Sequence, residues 1–179
     1  MKLLIVLLFT SMCCYAQQED ITEKVKQIDD MSQNNSIASL ACGSIFKKRF
    51  LFGKKTIGGF SNQVYCTKPV NGVQYKNDSP SIMKGQYTET SFITKNSTGY
   101  LDATFYYDND KLFFVCIEKG IKNKNAEPVS EIYNIEPGKD ISPEISEKLG
   151  FDITEWINNR KILFEEMRDQ MKGLTTMTY

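Results

Sequence analysis

Residues 99–118 read GYLDATFYYDNDKLFFVCIE, and this stretch decides the fold. Apolar side chains occupy every second position of its first half, at Leu101, Ala103, Phe105 and Tyr107. Turn-forming residues follow at 108–110, and the segment after them is almost entirely apolar. Alternation with a period of two is typical of a strand that is buried on one side, and the turn predicts that a second strand pairs back on it. The stretch is therefore predicted to be an antiparallel β-hairpin.

Helix signals lie on both sides of the predicted hairpin. Residues 20–23 and 152–155 both read Asp-Ile-Thr-Glu, a capping box, and each is followed by apolar residues at helical spacing. Ser142-Pro143-Glu144 predicts a short helix that ends at Gly150. We therefore expect an α+β fold, in which a twisted antiparallel β-meander from about Lys55 to Ile135 packs with one face against an N-terminal helix and a long C-terminal helix. The apolar segment Ile37–Phe46 is either a buried strand or a short helix.

The N-terminus has the pattern of a secretory signal. Lys2 precedes the apolar run Leu3–Phe9, and small residues up to Ala16 precede a polar segment. Seven apolar residues span only about 10 Å as a helix, which is too short for a membrane anchor. We predict a signal peptide at residues 1–16 and a single domain at residues 17–179, exported to the periplasm or the medium. Lipidation at Cys13 or Cys14 is the alternative to a soluble product.

Composition excludes several classes of function. The chain has no histidine, so imidazole cannot serve as a base, an acid or a metal ligand. Its 22 basic residues balance 22 acidic ones, and a neutral chain has no net field that attracts nucleic acid. No phosphate loop, dinucleotide fingerprint, Cys-x-x-Cys pair or calcium loop occurs in the sequence. We therefore expect no cofactor, no metal and no nucleic-acid partner.

Three cysteines remain after residue 16, and an oxidising compartment would permit one disulfide among them. Cys116 lies within an apolar run, where burial as a small hydrophobic residue is expected. The predicted disulfide therefore joins Cys42 and Cys66, with one thiol left free. The alternative to a disulfide is that one cysteine is a catalytic nucleophile, which would need a lysine or a helix N-terminus to lower its pKa.

One face of the predicted hairpin carries aromatic and polar side chains together, at Tyr100, Asp102, Thr104 and Tyr106. Tyrosine offers a large contact area at low entropic cost, so such a face can stack on sugar rings or dock a partner. A binding face of this kind requires that Tyr100 and Tyr106 are exposed. The alternative is that their rings cover the sheet edge or lie beneath the C-terminal helix.

Five cations surround an apolar triplet in Lys47-Lys48-Arg49-Phe50-Leu51-Phe52-Gly53-Lys54-Lys55. A functional interpretation is attachment to an anionic surface, such as lipid headgroups or a phosphorylated polysaccharide, into which Phe50 and Phe52 insert. The structural interpretation is a cationic turn between two core strands, which the neutral net charge of the chain favours.

Acidic residues on predicted strands offer a third possibility, a pair of carboxylates for hydrolysis. The candidates are Glu89, Asp102, Glu118 and Glu131. The sequence ranks no pair above another, and solubility of the sheet surface also explains them.

The segment Ala103–Val115, together with the signal that ends at Ala16-Gln17, resembles small uncharacterised exported proteins of Bacteroidota. The resemblance implies an N-terminal helix followed by an antiparallel meander with an aromatic strand, an acidic turn and an apolar return strand. It carries over no catalytic or binding residue, and the helical part from Ser142 onward departs from that pattern.

The expected function is that of a non-enzymatic exported protein that binds a protein or glycan partner in the cell envelope. An inhibitor or immunity-type protein that occludes a partner is an alternative. A small hydrolase that uses an acid pair is another.

Overall fold

The computed structural model of the chain describes residues 20–33, 37–50, 53–67 and 80–174. The predicted signal peptide lies outside the described residues. The first helix, α1, comprises residues 20–33. The elements after it are β1 (Ile37–Phe50), β2 (Gly53–Thr67), β3 (Ile82–Ile93), β4 (Ser97–Asp108), β5 (Lys111–Asn123), β6 (Val129–Ile135), α2 (Pro143–Leu149) and α3 (Ile153–Leu174).

The strands form one six-stranded antiparallel sheet in the order of the sequence, so the predicted α+β meander is confirmed. The hairpin predicted at residues 99–118 is formed by β4 and β5. Its turn is formed by Asn109 (φ 49°) and Asp110 (φ 63°), between the paired residues Asp108 and Lys111. A two-residue turn with positive φ at both positions matches the twist of the strands, and Asn and Asp tolerate that conformation. The Asp110 carboxylate also accepts a hydrogen bond from the backbone N–H of Ile82 at 2.7 Å.

Helix α3 packs on one side of the sheet, which we name the α3 face. Phe164 of α3 is fully buried and meets the Phe105 ring edge-on, with 5.2 Å between the ring centroids. It also lies directly over Gly85, where an added Cβ would approach the Phe164 ring to 2.5 Å. Val64 and Val115 complete this core beside Phe105, and both are fully buried. The main hydrophobic core therefore lies between α3 and strands β2–β5.

Helix α1 packs on the opposite side, which we name the α1 face. Asp29 of α1 accepts hydrogen bonds from the Lys84 ammonium at 2.6 Å and from the Tyr106 hydroxyl at 3.1 Å. Successive side chains of a strand point to opposite faces, so Tyr106 points away from the face that Phe105 fills. The prediction that both helices cover one face is therefore wrong, because the sheet lies between them.

The C-terminal helices begin and end as the sequence predicts. The Asp152 carboxylate accepts the Glu155 N–H at 3.0 Å, which caps the start of α3. Helix α2 ends at Gly150, whose φ of 84° lies in the left-handed region that glycine tolerates. The Lys119 ammonium donates to the carbonyls of Lys148 and Leu149 at 2.9 and 3.0 Å, which ties the end of α2 to β5.

The sheet begins earlier than expected, because segment 37–50 is strand β1 rather than a separate buried element. β1 pairs only with β2 within the described part of the chain and forms an edge of the sheet. Its side chains from Ala41 to Arg49 are exposed. Segment Ile37–Phe46 is therefore a strand, which confirms one of the two alternatives. The expected burial of the segment is wrong, because its side chains from Ala41 onward are exposed.

Candidate functional site

The predicted binding face on β4 is not exposed as a binding face requires. Tyr100 and Tyr106 are each only 6% exposed, so the prediction of two exposed rings is wrong. Tyr106 is covered by its hydrogen bonds to Asp29 of α1, by the Lys84 ammonium 5.8 Å from its ring centroid, and by Phe114 with centroids 6.0 Å apart. Burial and the Asp29 carboxylate both raise the pKa of Tyr106.

Tyr100 is buried by its own strand partners rather than by a helix. It is paired with Gly120, and an added Cβ on Gly120 would lie 2.8 Å from the Tyr100 hydroxyl. The ring therefore spreads over a residue without a side chain, an arrangement that commonly protects glycine in sheets. Its hydroxyl donates to Glu118 at 2.6 Å, and the Lys122 ammonium lies 4.3 Å from the ring centroid. Tyr100 is thus a structural residue of the α1 face.

The sheet brings two of the four candidate acids together. Asp102 and Glu118 are directly opposite each other on the α1 face, whereas Glu89 and Glu131 lie on the α3 face. Hydrogen bonds from Tyr100 and Ser130 lower the pKa of Glu118. Burial raises the pKa of Asp102, even though Thr88 donates a hydrogen bond to it. Divergent pKa values of this kind are what an acid and a base require.

Within the Asp102–Glu118 pair, Asp102 is the more buried of the two acids. One oxygen of Asp102 is buried without a hydrogen-bond partner among the described residues. Among the described residues, neither Asp102 nor Glu118 lines any of four cavities of 280 to 580 Å³, although Tyr100, which donates to Glu118, lines one of them.

The cationic cluster forms the end of the β1–β2 hairpin. β3 pairs with β2 only from Gly59 onward, so among the described residues 47–50 and 53–56 pair only with each other. We name this two-stranded extension the prong. Four residue pairs give it a length of about 13 Å beyond the sheet. The backbone of Phe50, the first residue of the apolar triplet, lies at the tip of the prong.

The prong places like charges opposite each other. Lys48 is paired with Lys55, and Arg49 with Lys54, while Lys47 is opposite Thr56. All five cations are exposed, and none of them forms an ion pair with a described residue. Like charges directly opposite one another destabilise strand pairing, and an isolated hairpin is already marginal in water. The prong therefore has a charge arrangement that its own folding does not favour.

A β-bulge lies where the prong leaves the sheet. Phe46 is paired with Gly58 and Lys47 with Thr56, so Ile57 is an extra residue of β2. Bulges bend a hairpin and change its direction. Ile45, Phe46 and Ile57 at the base of the prong are 69%, 49% and 39% exposed. Phe46 points to the α3 face, where its ring lies 5.9 Å from that of Phe60 between centroids, and Ile45 points to the α1 face.

Other lysines lie at the same end of the sheet, because alternate turns of a meander share one end. Lys95 lies in the β3–β4 turn, Lys122 near the end of β5 and Lys124 in the β5–β6 loop, where its N–H donates to Asn96 at 2.9 Å. Around the opposite end, carboxylates of α1 and the β4–β5 turn lie among basic residues and pair with them: Asp108 with Lys24, Asp29 with Lys84 and Asp110 with Arg168. The neutral net charge therefore conceals a cluster of basic residues at the prong end, which a count over the whole sequence cannot detect.

The predicted Cys42–Cys66 disulfide is absent, and the strand register explains why. Cys42 is opposite Asn62 while Cys66 is opposite Ala38, so the two cysteines are four residues out of register. Four residues correspond to about 13 Å along a strand, far beyond the reach of a disulfide. Cys66 is fully buried, and burial raises the pKa of its thiol to about 12. Cys42 is exposed, with its sulfur 3.9 Å from that of Met167.

Burial also raises the pKa of the Cys116 thiol, so neither Cys66 nor Cys116 has the lowered pKa of an activated nucleophile. Among the described residues, no cluster of three or more acidic or cysteine side chains could hold a metal ion. No described helix is both long and apolar enough to cross a bilayer. No protein-family model, curated protein or solved structure matches the chain.

Proposed function

We propose that the chain is a non-enzymatic exported binding protein that attaches to an anionic membrane surface through the prong. The observation that carries this proposal is the pairing of Lys48 with Lys55 and of Arg49 with Lys54, without a described counter-charge. An external anionic partner would supply the charge that this arrangement lacks. Anionic headgroups supply it, and the basic residues at this end of the sheet give their surface a field of one sign.

The order of residues along the prong favours a lipid over a charged polysaccharide. In the sequence the apolar triplet Phe50-Leu51-Phe52 lies between the two arms of cations. The cations lie on both sides of the ribbon, since Lys48 and Lys55 share one side and Arg49 and Lys54 share the other. End-on insertion would therefore place charges from both sides at headgroup level and the apolar triplet below them. Apolar side chains gain free energy only where hydrocarbon receives them.

Export is the second part of the proposal, and it is supported by the apolar run Leu3–Phe9 and the small residues before Gln17. N-terminal sequencing of the protein purified from its natural source tests it. A mature chain that begins at Gln17 is expected. A mature cytoplasmic chain that begins at Met1 would contradict it.

Binding to vesicles tests the membrane proposal. Each basic residue near an anionic surface contributes about 1 kcal/mol, so neutralising two of them weakens binding by roughly 30-fold. The test variant is Lys48→Gln with Lys55→Gln. The matched control is Lys26→Gln with Lys111→Gln, which removes the same charge from exposed lysines away from the prong. Binding is measured by co-sedimentation with vesicles of phosphatidylcholine, with and without phosphatidylglycerol.

We expect binding only to vesicles that contain phosphatidylglycerol, a large loss in the prong variant, little change in the control, and weakening by added salt. Equal losses in both variants would show that net charge rather than the prong is responsible. Binding to a soluble polyphosphate but not to vesicles would identify a charged polymer as the partner and would refute the membrane proposal.

A further inference from the structure

The outer edge of β1, which no described residue pairs with, lacks from Ile37 to Phe46 the features that usually protect an edge strand; its cations and the bulge lie beyond that run. From Ile37 to Phe46 it contains no charged residue and no proline over ten positions. Proteins commonly protect such edges with lysines, prolines, bulges or very short strands, because the unpaired backbone groups accept another strand. The other edge strand, β6, is only seven residues long and contains Glu131. β1 is therefore the edge that is open to pairing.

We propose that β1 pairs antiparallel with β1 of a second copy of this chain, which joins the two sheets into one of twelve strands. Antiparallel pairing of identical strands has a two-fold axis perpendicular to the sheet, so each residue and its mate point to the same face. The α3 helices of both copies then lie on the same side. This geometry restricts the register to one in which a residue of β1 is opposite itself.

The positions of charge along β1 select that residue. If Cys42 is opposite its copy, Ile37 is opposite Lys47, and the whole uncharged run is paired over about 36 Å. Lys48 and Arg49 of each copy then lie outside the paired region, at opposite ends of the interface. A shift of the register further toward the prong would draw more cations into the interface. A second copy therefore fits this edge without bringing like charges together.

The side chains from Ala41 to Ser44, at the centre of this interface, are small and exposed in the single chain, and Leu40 beside them is partly buried. Ala41 would be opposite Gly43 of the second copy, and Leu40 opposite Ser44. Cys42 is exposed on the α3 face beside Met167, so its thiol would lie next to the thiol of its copy. A disulfide between the two Cys42 thiols would therefore report the register of the interface.

Oligomeric state is the first test, measured by light scattering after size exclusion over a range of protein concentrations. Ala41→Lys places two ammonium groups diagonally across the two-fold axis, while in a monomer that side chain is in solvent. Val129→Lys is the matched control, because Val129 is 69% exposed on the other edge strand. We expect a dimer for the unmodified chain and for Val129→Lys, and for Ala41→Lys a monomer that still unfolds cooperatively, with a melting temperature that no longer depends on protein concentration. A monomeric unmodified chain, or a dimer that only Val129→Lys dissociates, overturns the proposal.

Disulfide formation is the second test, and it reports the register even if Ala41→Lys fails to fold. With hydroxyethyl disulfide as oxidant, two Cys42 thiols lose two electrons and two protons and form one disulfide, and the reagent leaves as two molecules of mercaptoethanol. We expect a covalent dimer on non-reducing gels, and its loss in Cys42→Ser, which remains a dimer by light scattering. A covalent dimer that persists in Cys42→Ser, or absence of crosslinking in a dimer, refutes pairing about Cys42.

Discussion

The contact between Phe164 and Gly85 leads to a quantitative prediction about how α3 is held on the sheet. Alanine in place of a strand glycine normally stabilises by several tenths of a kcal/mol, because it restricts the unfolded chain. At Gly85, however, the added Cβ would lie 2.5 to 2.9 Å from three carbons of the Phe164 ring. Phe164 is fully buried and cannot move aside without disturbing Phe105. The steric cost of the added methyl group is therefore larger than the entropic gain from restricting the unfolded chain.

Gly85→Ala is expected to destabilise the fold by about 1 to 3 kcal/mol, which is typical of overpacking in a filled core. Phe164→Leu removes ring carbons and is expected to cost about 1 to 3 kcal/mol. In the double variant the smaller side chain makes room for the new methyl group. The combined loss should therefore be smaller than the sum of the single losses by roughly 0.5 to 3 kcal/mol.

Urea unfolding measures these free energies through the fluorescence of Trp156, the single tryptophan of the chain, which lies 5.7 Å from the Phe105 ring between centroids. Phe114→Leu combined with Gly85→Ala is the control, because Phe114 lies on the α1 face. That pair should be additive. Additivity of Gly85→Ala with Phe164→Leu, or a stabilised Gly85→Ala variant, would refute the packing argument.

Two further predictions concern the α1 face. Asp29→Asn should lower the free energy of unfolding by about 1 to 3 kcal/mol, because Lys84 is only 8% exposed and would lose its counter-charge. Adding Lys84→Met should recover much of that loss in the same urea titration, and no recovery would mean that the ion pair does not hold α1. Burial raises the pKa of Asp102, so its contribution to stability is complete below the unfolded-state pKa of about 3.9 and declines as the pH rises through the folded-state value. Asp102→Asn should therefore be more stable than the unmodified chain at neutral pH but not at pH 3 to 4, and a thermal melt that shows the reverse would contradict the burial argument.

The features that the sequence predicts well are those set by neighbouring residues. The β4–β5 turn needs only Asn109 and Asp110, whose types tolerate positive φ. The start of α3 needs only Asp152 and a nearby N–H, and the end of α2 needs only Gly150. The strand order follows because consecutive strands of a meander pair. Local chemistry thus determines the elements and most of the topology.

The features that the sequence does not predict depend on residues distant along the chain. Burial of Tyr106 depends on Asp29, which lies 77 positions away. The separation of Cys42 from Cys66 depends on the register of β1 with β2, which alternation alone does not specify. Lys84 has no signal in the sequence that marks it as the partner of α1. The aromatic rings beside its ammonium, Tyr65 and Tyr106, come from the neighbouring strands β2 and β4.

The sequence alone does not show how the charges of the prong are arranged, because that arrangement also depends on strand register. A count of 22 basic and 22 acidic residues indicates neutrality, and neutrality favours a simple turn. Only the pairing of Lys48 with Lys55 and the shared position of Lys95, Lys122 and Lys124 reveal where the charges lie. Whether charges are dispersed or collected is a property of the fold.

Helix α3 covers strands that precede it in the chain, and this determines the order in which the protein can mature. A ribosome releases β1, β2 and β3 first, while Phe164, Met167 and Met171, which shield them, are among the last described residues to emerge. Until they arrive, Val64 and Phe105 have no helix to bury them. The nascent chain therefore exposes this apolar sheet surface from the synthesis of the strands until α3 is complete, and how much of it aggregates depends on how quickly α3 follows.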